Sequence, residues 1–293
     1  MAAKKSTAYA GKTPGKKTAK KAARKAPAKK VPAKKTAAKN ARGRTPGKAI
    51  KRKAVKRLGG TEVHELDARL AAAVPEPKHE LAFRTPFELL IATILAAQST
   101  DRTVNQVMPT LLARYPGVHE LAEASQDDVE LLVKRTGFFR NKARSIRETA
   151  QQLVAAHGGE VPQTMDELTK LQGVARKTAN VVLGTAYGIQ AGFIVDTHVA
   201  RVTQRLGLTR QSDPVRIESE LCRTFEQSSW TDLGHRFTLH GRYTCLAKQP
   251  LCSDCPINEL CGSRESEPAD TWQERAQREG TRVDEGIRVS RGV

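Results

Sequence analysis

The spacing of apolar residues between residues 59 and 170 is the strongest constraint on the fold. Apolar positions recur at helical intervals, and the segments end at breaks such as Pro75 and Gly158–Gly159. A segment at about residues 87–98 is apolar nearly all round, which is typical of a buried helix. The apolar–polar alternation of a β-strand is not evident in this region. The sequence therefore predicts an all-α fold.

A tight turn, a lysine and an acid lie close together in the segment Leu171–His198. Gly173 lies in the turn, Lys177 at the start of a helix-compatible run, and Asp196 at the start of the following segment. Backbone amides at a helix N-terminus bind phosphate, and the positive end of the helix dipole disfavours a lysine cation there. A neutral lysine is a nucleophile that can form a Schiff base with a sugar C1′. The segment is equally compatible with a plain packing unit, in which the lysine lies on the surface and Asp196 only caps a helix.

The positive charge of the chain is confined to its N-terminal tail. Of the 50 basic residues, 22 lie within residues 1–60, which contain no Asp or Glu. The rest of the chain has the other 28 basic residues and 31 acidic residues, so its net charge is −3. Large apolar residues are scarce in residues 1–58, so we predict a disordered tail with salt-sensitive, sequence-independent affinity for DNA. A nuclear localisation signal or an organelle transit peptide is the alternative interpretation.

Neither a membrane span nor a secretory signal is expected. No apolar run reaches the roughly 18–20 residues that a span needs. The first residues lack the apolar stretch of a signal peptide. We therefore expect an intracellular protein without a membrane partner. Because the tail resembles those of bacterial histone-like proteins, we expect a cytoplasmic, nucleoid-associated protein of a bacterium.

Four of the five cysteines lie within 17 residues near the C-terminus. They are Cys245, Cys252, Cys255 and Cys261, in a C-x6-C-x2-C-x5-C spacing. In an intracellular protein such a group indicates metal or cluster binding rather than disulfides. Four cysteines can hold an iron–sulfur cluster or structural zinc, so the spacing leaves both open. Cys222 lies on an apolar helical pattern and is expected to be a buried small hydrophobe.

Two places in the sequence have side chains that suit contact with a nucleic acid duplex. Phe138 and Phe139 precede basic residues in the loop TGFFRNKAR, and aromatic rings beside cations suit insertion into a duplex next to phosphate contacts. Either ring can instead belong to the core, which we expect for Phe139. Gln98 is polar at the end of an apolar helix, where it can form a local hydrogen bond or project into a ligand cleft.

Four segments, taken together, resemble the endonuclease III family of DNA glycosylases. LQGVARKTANVVL resembles the family's helix-hairpin-helix, and IVDTHVARV resembles the aspartate segment that follows it. AAQSTD at 96–101 and HGRYTC at 240–245 also match, and the resemblance covers residues 62–262. The hairpin more often has glycine at both ends and proline second. Gln172 and Ala175 hold those positions here, and alanine suits the turn only if its φ is negative or mildly strained.

The resemblance implies a covalent reaction. Lys177 is the expected nucleophile that attacks C1′ of a damaged nucleotide, expels the base and forms an imine. Asp196 is expected to activate the lysine or to stabilise the positive charge that develops on the sugar. Loss of the 2′ proton then cuts the strand on its 3′ side by β-elimination.

The resemblance also implies which residues bind DNA and the cofactor. Gln98 is expected to fill the space that the extruded base leaves, and Phe138 to act as a wedge. Gly173, Ala175 and Arg176 are the expected phosphate-binding residues of the hairpin. The four clustered cysteines are the expected ligands of a [4Fe–4S] cluster.

The implied architecture is a pair of helical domains, a six-helix barrel-like domain and an iron–sulfur cluster domain, preceded by the disordered basic tail. The barrel-like domain contains the helix-hairpin-helix, and the cluster domain is built from two separate segments. A flexible C-terminal extension follows. The expected bounds are 1–58 for the tail, 86–197 for the barrel-like domain with the hairpin at about 165–184, 62–85 and 198–262 for the cluster domain, and 263–293 for the extension.

We therefore predict a base-excision-repair DNA N-glycosylase that removes oxidised pyrimidines and has associated AP lyase activity. It is expected to act as a monomer on double-stranded DNA with a damaged pyrimidine or an abasic site. A non-catalytic or architectural DNA-binding protein is one alternative, and it predicts no dependence on Lys177. An adenine-specific relative is another, but such relatives usually lack this lysine and carry an additional C-terminal domain, for which the 31 residues of the segment 263–293 are too few.

Overall fold

The structure is a computed structural model, and it describes residues 57–264. Every regular element in that range is helical, so the predicted all-α fold is confirmed. The predicted tail lies outside the described residues apart from Arg57 and Leu58, and so does the predicted extension apart from Ser263 and Arg264. DNA binding by the tail and nucleoid association therefore stay predictions.

Eleven α-helices follow one another along the described chain. The first six are α1 (Gly60–Ala73), α2 (Pro86–Ala96), α3 (Asp101–Arg114), α4 (Val118–Glu123), α5 (Gln126–Val133) and α6 (Phe139–His157). The others are α7 (Met165–Leu168), α8 (Arg176–Tyr187), α9 (Thr197–Arg205), α10 (Pro214–Thr224) and α11 (Trp230–Tyr243). Short 3-10 turns lie at Lys134–Thr136, Gln227–Ser229 and Asn258–Leu260. None of the helices between residues 57 and 264 is long and apolar enough to cross a membrane.

Side-chain caps set where several helices begin. Thr85 accepts a hydrogen bond from the Glu88 N–H (3.2 Å), and Pro86 occupies the first position of α2. Thr100 caps α3 in the same way by accepting from the Thr103 N–H (3.1 Å). The helix α4 was not predicted, because six residues are too few to show a helical period.

Two clusters of buried apolar residues organise the described chain. The first extends from Leu81 to Ile194 and is built from α2 to α8. The second combines α1 with α9, α10 and α11. Its centre holds Phe193, whose ring centroid lies 6.0 Å from that of Phe225 and 6.1 Å from that of Phe237. We propose that the two clusters mark the two predicted domains, with Leu81 belonging to the first and Phe193 and Val195 to the second, outside the predicted bounds.

Candidate active site

Two hydrogen bonds with side chains of α6 fix the turn between α7 and α8. Thr149 Oγ1 donates to the Gln172 carbonyl (2.5 Å), and Gln152 Oε1 accepts from the Gln172 N–H (2.7 Å). Gly173 has φ +77°, and a Cβ at this position would lie 2.9 Å from Ser145 Cβ. Glycine is therefore needed in this turn both for its conformation and for the space it leaves.

Ala175 occupies the end of the turn where the hairpin more often has glycine. It has φ −89° and ψ 167°, an extended conformation that any residue adopts, and it is the N-cap of α8. The first hydrogen bond of the helix runs from the Ala179 N–H to the Ala175 carbonyl (3.0 Å). The amides of residues 176–178 precede that bond and suit an anion. The requirement for a negative φ is thus met, and phosphate binding by this turn stays a prediction.

The first two side chains of α8 have different surroundings. Arg176 Nε donates to Glu218 Oε2 (2.7 Å), which ties α8 to α10, while 46% of the arginine side chain stays exposed. Lys177 is exposed. The ion pair of Arg176 is a structural role that the sequence analysis missed, and its predicted contact with DNA stays a prediction.

Asp196 is the N-cap of α9. Its Oδ1 accepts a hydrogen bond from the Val199 N–H (2.7 Å), and the residue is half-buried. The capping role that the sequence suggested is therefore present. A carboxylate has two oxygens and several acceptor positions, so capping leaves it able to stabilise a positive charge nearby.

Asp101 shows that Lys177 and Asp196 belong to one electrostatic environment. Burial raises the pKa of Asp101, the Lys177 ammonium opposes that shift, the Asp196 carboxylate adds to it, and His198 opposes it. Charges influence a pKa in this way only over short distances. The lysine and the aspartate singled out in the sequence therefore both act electrostatically on a third group, the Asp101 carboxyl.

Arg242 joins these groups to the C-terminal part of the described chain. Its Nη1 donates to Asp101 Oδ2 (2.5 Å) and also pairs with Glu80, which accepts a hydrogen bond from the Tyr243 hydroxyl. The segments AAQSTD and HGRYTC therefore meet near Lys177. The sequence analysis did not assign Asp101 or Arg242 to the site, because they are 141 positions apart and no local spacing indicates the contact.

Two histidines near Lys177 are neutral. The ring centroids of His79 and His235 are 5.3 Å apart, with the ring planes at 87°. Burial lowers the pKa of His79 to about 3 and that of His235 to about 4, and the Lys177 ammonium lowers both further. His235 Nε2 shares a hydrogen bond with Thr185 Oγ1 (3.0 Å), and His79 Nδ1 accepts one from the Leu81 N–H (3.1 Å). The charge of Lys177 therefore acts on two imidazoles for which burial favours the uncharged form.

These histidines make the free energy of unfolding depend on pH. The pKa of histidine in an unfolded chain is about 6.5. Between about pH 6.5 and pH 4 the unfolded state therefore binds more protons than the folded state. Their contribution to stability is fully present above pH 6.5. As the pH is lowered below this value, the contribution decreases by about 1.4 kcal/mol per pH unit for each histidine. We expect the urea midpoint, followed by circular dichroism, to drop steeply from pH 7 to pH 5.

Two variants test whether the buried histidines cause that drop. His235→Gln keeps a side chain that can hydrogen-bond to Thr185 and removes one titrating group, so its profile is expected to be flatter. His119→Gln is the matched control, because His119 is exposed, and its profile is expected to follow that of the unaltered protein. A His235→Gln profile as steep as that of the unaltered protein would contradict the assignment.

The two predicted duplex-contacting residues share an unusual backbone conformation. Gln98 (φ 54°) and Phe138 (φ 46°) lie in the left-handed region, and Gln249 is the only other non-glycine residue to do so in the described part of the chain. Such conformations cost on the order of 1–3 kcal/mol and gather at functional sites. Phe138 is 65% exposed and Gln98 is also exposed, whereas Phe139 packs against the first apolar cluster as predicted. Duplex contact by Gln98 and Phe138 stays a prediction.

The four clustered cysteines line one cavity next to α9. The cavity has a volume of about 30 Å³ and is also lined by Arg205. Arg205 Nη1 donates to Cys245 Sγ (3.2 Å) and to the Leu246 carbonyl (2.6 Å), which fixes the start of the loop. Cys222 is partly buried against the second apolar cluster, away from this cavity. Among the residues that the structure describes, no three His, Cys, Asp or Glu side chains are close enough together to bind one metal ion.

Several endonuclease III proteins are similar to this chain over most of their own length. The chain is 50% identical over 186 residues to the endonuclease III of Synechocystis sp., which is 64% of this chain and 85% of that protein. It is 39% identical over 203 residues to the endonuclease III of Escherichia coli strain K12, which is 69% of this chain and 95% of that protein. A solved structure of a non-covalent endonuclease III–DNA complex is 38% identical, with a TM-score of 0.67, and the match covers 75% of this chain and 99% of that one.

The family comparison defines the class of protein. Residues 91–227 match the family described as HhH-GPD superfamily base excision DNA repair protein. The chain is therefore a base-excision DNA repair glycosylase with a helix-hairpin-helix. Within that class it belongs to the endonuclease III family, as its sequence segments predicted.

Proposed function

We propose that the chain removes oxidised pyrimidines from double-stranded DNA and cuts the strand at the resulting abasic site, with Lys177 as the nucleophile. The observation that carries this proposal is the position of Lys177. It is exposed at the first turn of α8 and lies close enough to act on Asp101, His79 and His235. A related chain, 37% identical, has been solved as a trapped endonuclease III–DNA covalent intermediate. That relative supports a covalent route here.

The reaction starts with attack of the Lys177 amine on C1′ of the damaged nucleotide. The C1′–N bond breaks, and its electron pair leaves with the base, which takes up a proton that the amine gives up. The C1′–O4′ bond then breaks with its electron pair on O4′, which takes up the remaining proton of the lysine nitrogen, and an imine forms between that nitrogen and C1′. Asp196 stabilises the positive charge that develops on the sugar and the nitrogen. Removal of a 2′ proton forms a carbon–carbon double bond and expels the 3′ phosphate, which cuts the strand.

The DNA contacts follow from the exposed turns around this lysine. The backbone amides at the start of α8 bind a phosphate of the DNA backbone. The small residues Gly173 and Ala175 let the phosphate come close to these amides, and Arg176 adds positive charge. Phe138 enters the duplex and Gln98 occupies the space of the extruded nucleotide. Both side chains are exposed on strained turns, which supports this role.

The cysteine cavity suits a [4Fe–4S] cluster by the chemistry of its donors. Such clusters take four thiolates, and Cys245, Cys252, Cys255 and Cys261 all line one cavity. These residues would hold the cluster, with Arg205 donating to a ligand sulfur. When bound, the cluster supplies a cross-link between the end of α11 and the C-terminal loop. The cluster takes no part in the reaction at the sugar, which the chain's own residues perform.

Iron content and colour test the cluster. We expect the purified protein to contain about four iron atoms per chain and to absorb visible light. Cys252→Ser is expected to lose most of both, because an alcohol is a much poorer iron ligand than a thiolate. Cys222→Ser changes the cysteine that lies outside the cavity, so it is expected to keep the iron. Colourless protein with one zinc per chain would contradict the cluster assignment.

An end-labelled duplex with one thymine glycol tests the function. We expect base release and strand cleavage at the lesion, and no cleavage of the same duplex with an undamaged thymine. A duplex with a natural abasic site is expected to be cut as well, because the lyase step needs no base. Equal binding to all three duplexes without cleavage would instead indicate an architectural DNA-binding protein. Release of adenine from a mispair would indicate an adenine-specific enzyme.

A further inference from the structure

Lys142 is a buried lysine in the first turns of α6 that the proposed reaction does not use. Only 5% of its surface is exposed. Its ammonium donates to the Thr136 carbonyl (2.6 Å), and burial lowers its pKa. A buried cation costs free energy, and an apolar side chain of similar size would fill the same space without that cost. The position of this lysine therefore calls for a specific interaction.

Lys142 contacts both ends of the turn that carries Phe138. Its ammonium binds the Thr136 carbonyl, and its own N–H donates to the Phe138 carbonyl (3.1 Å). Between these two contacts lie Gly137, with φ +66°, and Phe138, with φ 46°. Thr136 is itself fixed, because it is 2% exposed and its Oγ1 donates to the Val133 carbonyl (2.8 Å). The ammonium thus holds the start of the turn at Thr136, while the backbone N–H of the same residue forms the first hydrogen bond of α6 at Phe138.

The conformation of the turn at residues 136–138 determines where two adjacent phenylalanines point. A positive φ is unusual for a bulky residue, so the surroundings of Phe138 must hold it there. In this conformation Phe138 is 65% exposed, while Phe139 packs against the first apolar cluster. The turn therefore separates an outward ring from an inward one.

We propose that Lys142 is a positioning residue for lesion recognition, which holds Phe138 outward as a wedge ready to enter the duplex. The inference rests on the proposed function, since it takes Phe138 for the wedge. A wedge that is held in place before binding does not have to be ordered when DNA arrives. Without the hydrogen bond from the ammonium to Thr136, that ordering cost appears as weaker binding to DNA.

A double-mutant cycle on DNA affinity tests the proposal. Lys142→Met removes the ammonium and keeps the length of the side chain. It is combined with Phe138→Ala, and all four proteins are measured on a duplex with a tetrahydrofuran abasic analogue, which cannot form an imine. Lys134→Met is the matched control, because Lys134 is an exposed lysine at the start of the 3-10 turn that precedes residues 136–138, and its replacement removes the same charge. If Lys142→Met does not fold, Lys142→Gln is used in the same cycle.

The proposal expects the two substitutions to depend on each other. Lys142→Met should weaken binding about tenfold when Phe138 is present and less than about twofold when Phe138 is alanine. Lys134→Met should weaken binding less than about threefold in both backgrounds. Equal losses from Lys142→Met in the two backgrounds, or no loss in either, would overturn the proposal. Borohydride trapping of the unaltered protein on a natural abasic site is measured separately, so a failure of the proposed function is distinguished from a failure of this inference.

Discussion

The Lys177→Ala variant is expected to form no covalent adduct with DNA when borohydride is added to the reaction. Borohydride reduces the imine between the lysine and the sugar, and alanine has no amine that could form one. Base release and strand cleavage are expected to fall by at least about 10³-fold, because the loss of a covalent nucleophile removes the reaction path itself. The adduct is measured as a slowly migrating protein–DNA band on a denaturing gel.

Two controls separate the loss of the nucleophile from other effects. Lys170→Ala removes another exposed lysine, just ahead of the turn, and is expected to form the adduct at the rate of the unaltered protein. The Lys177→Ala variant is expected to keep its affinity for a tetrahydrofuran duplex to within about tenfold, since only one positive charge is lost. An adduct that persists in the Lys177→Ala variant would place the nucleophile at another amine.

The second large effect is expected from Asp196→Asn. Asparagine is as good an N-cap as aspartate, and its amide oxygen can accept the hydrogen bond from the Val199 N–H. The helix α9 should therefore keep its start, while the negative charge next to the sugar is lost. We expect the rate of base release to fall by about 10²–10³-fold, the range found when one electrostatic stabiliser is removed from an active site. Single-turnover kinetics on a thymine glycol duplex measure this step.

A second capping aspartate provides the control for Asp196. Asp213 caps α10 by accepting from the Arg216 N–H (3.0 Å), and it is exposed. Asp213→Asn makes the same chemical change at a helix start outside the proposed site, so the rate of base release should stay within about twofold of that of the unaltered protein. Equal losses from the two variants would mean that Asp196 acts only as a cap.

The positions of most helices could be predicted, because their start signals are local. Thr85 with Pro86, and Thr100 with Asp101, are recognisable in the sequence and begin helices in the structure. The hairpin could be recognised as a motif, but the conformation of Ala175 could not. Its extended backbone follows from its place as the N-cap of α8, which shows that the turn needs glycine only at Gly173.

The electrostatic surroundings of Lys177 could not be predicted. Asp101 and Arg242 are far apart in the sequence, and their pairing depends on the tertiary fold, which brings the start of α3 to the end of α11. His79 and His235 carry no motif, and their low pKa values arise from burial, which a sequence does not show. In the sequence, Lys142 is one of several basic residues in the loop TGFFRNKAR. Its burial and its bond to Thr136 emerge only in the folded chain.

The composition of the second apolar cluster has a consequence for synthesis on the ribosome. Val63, Leu66 and Leu70 of α1 are made early, but they pack against residues that are made much later, among them Leu233 and Phe237 of α11. The segment from residue 81 to residue 194 holds the first cluster and can start to fold while the rest is still being translated. The apolar face of α1 then stays unpaired until the last helices emerge. Because Arg242 lies on α11, the nascent chain cannot complete the surroundings of Lys177 before almost all of residues 57–264 have been made.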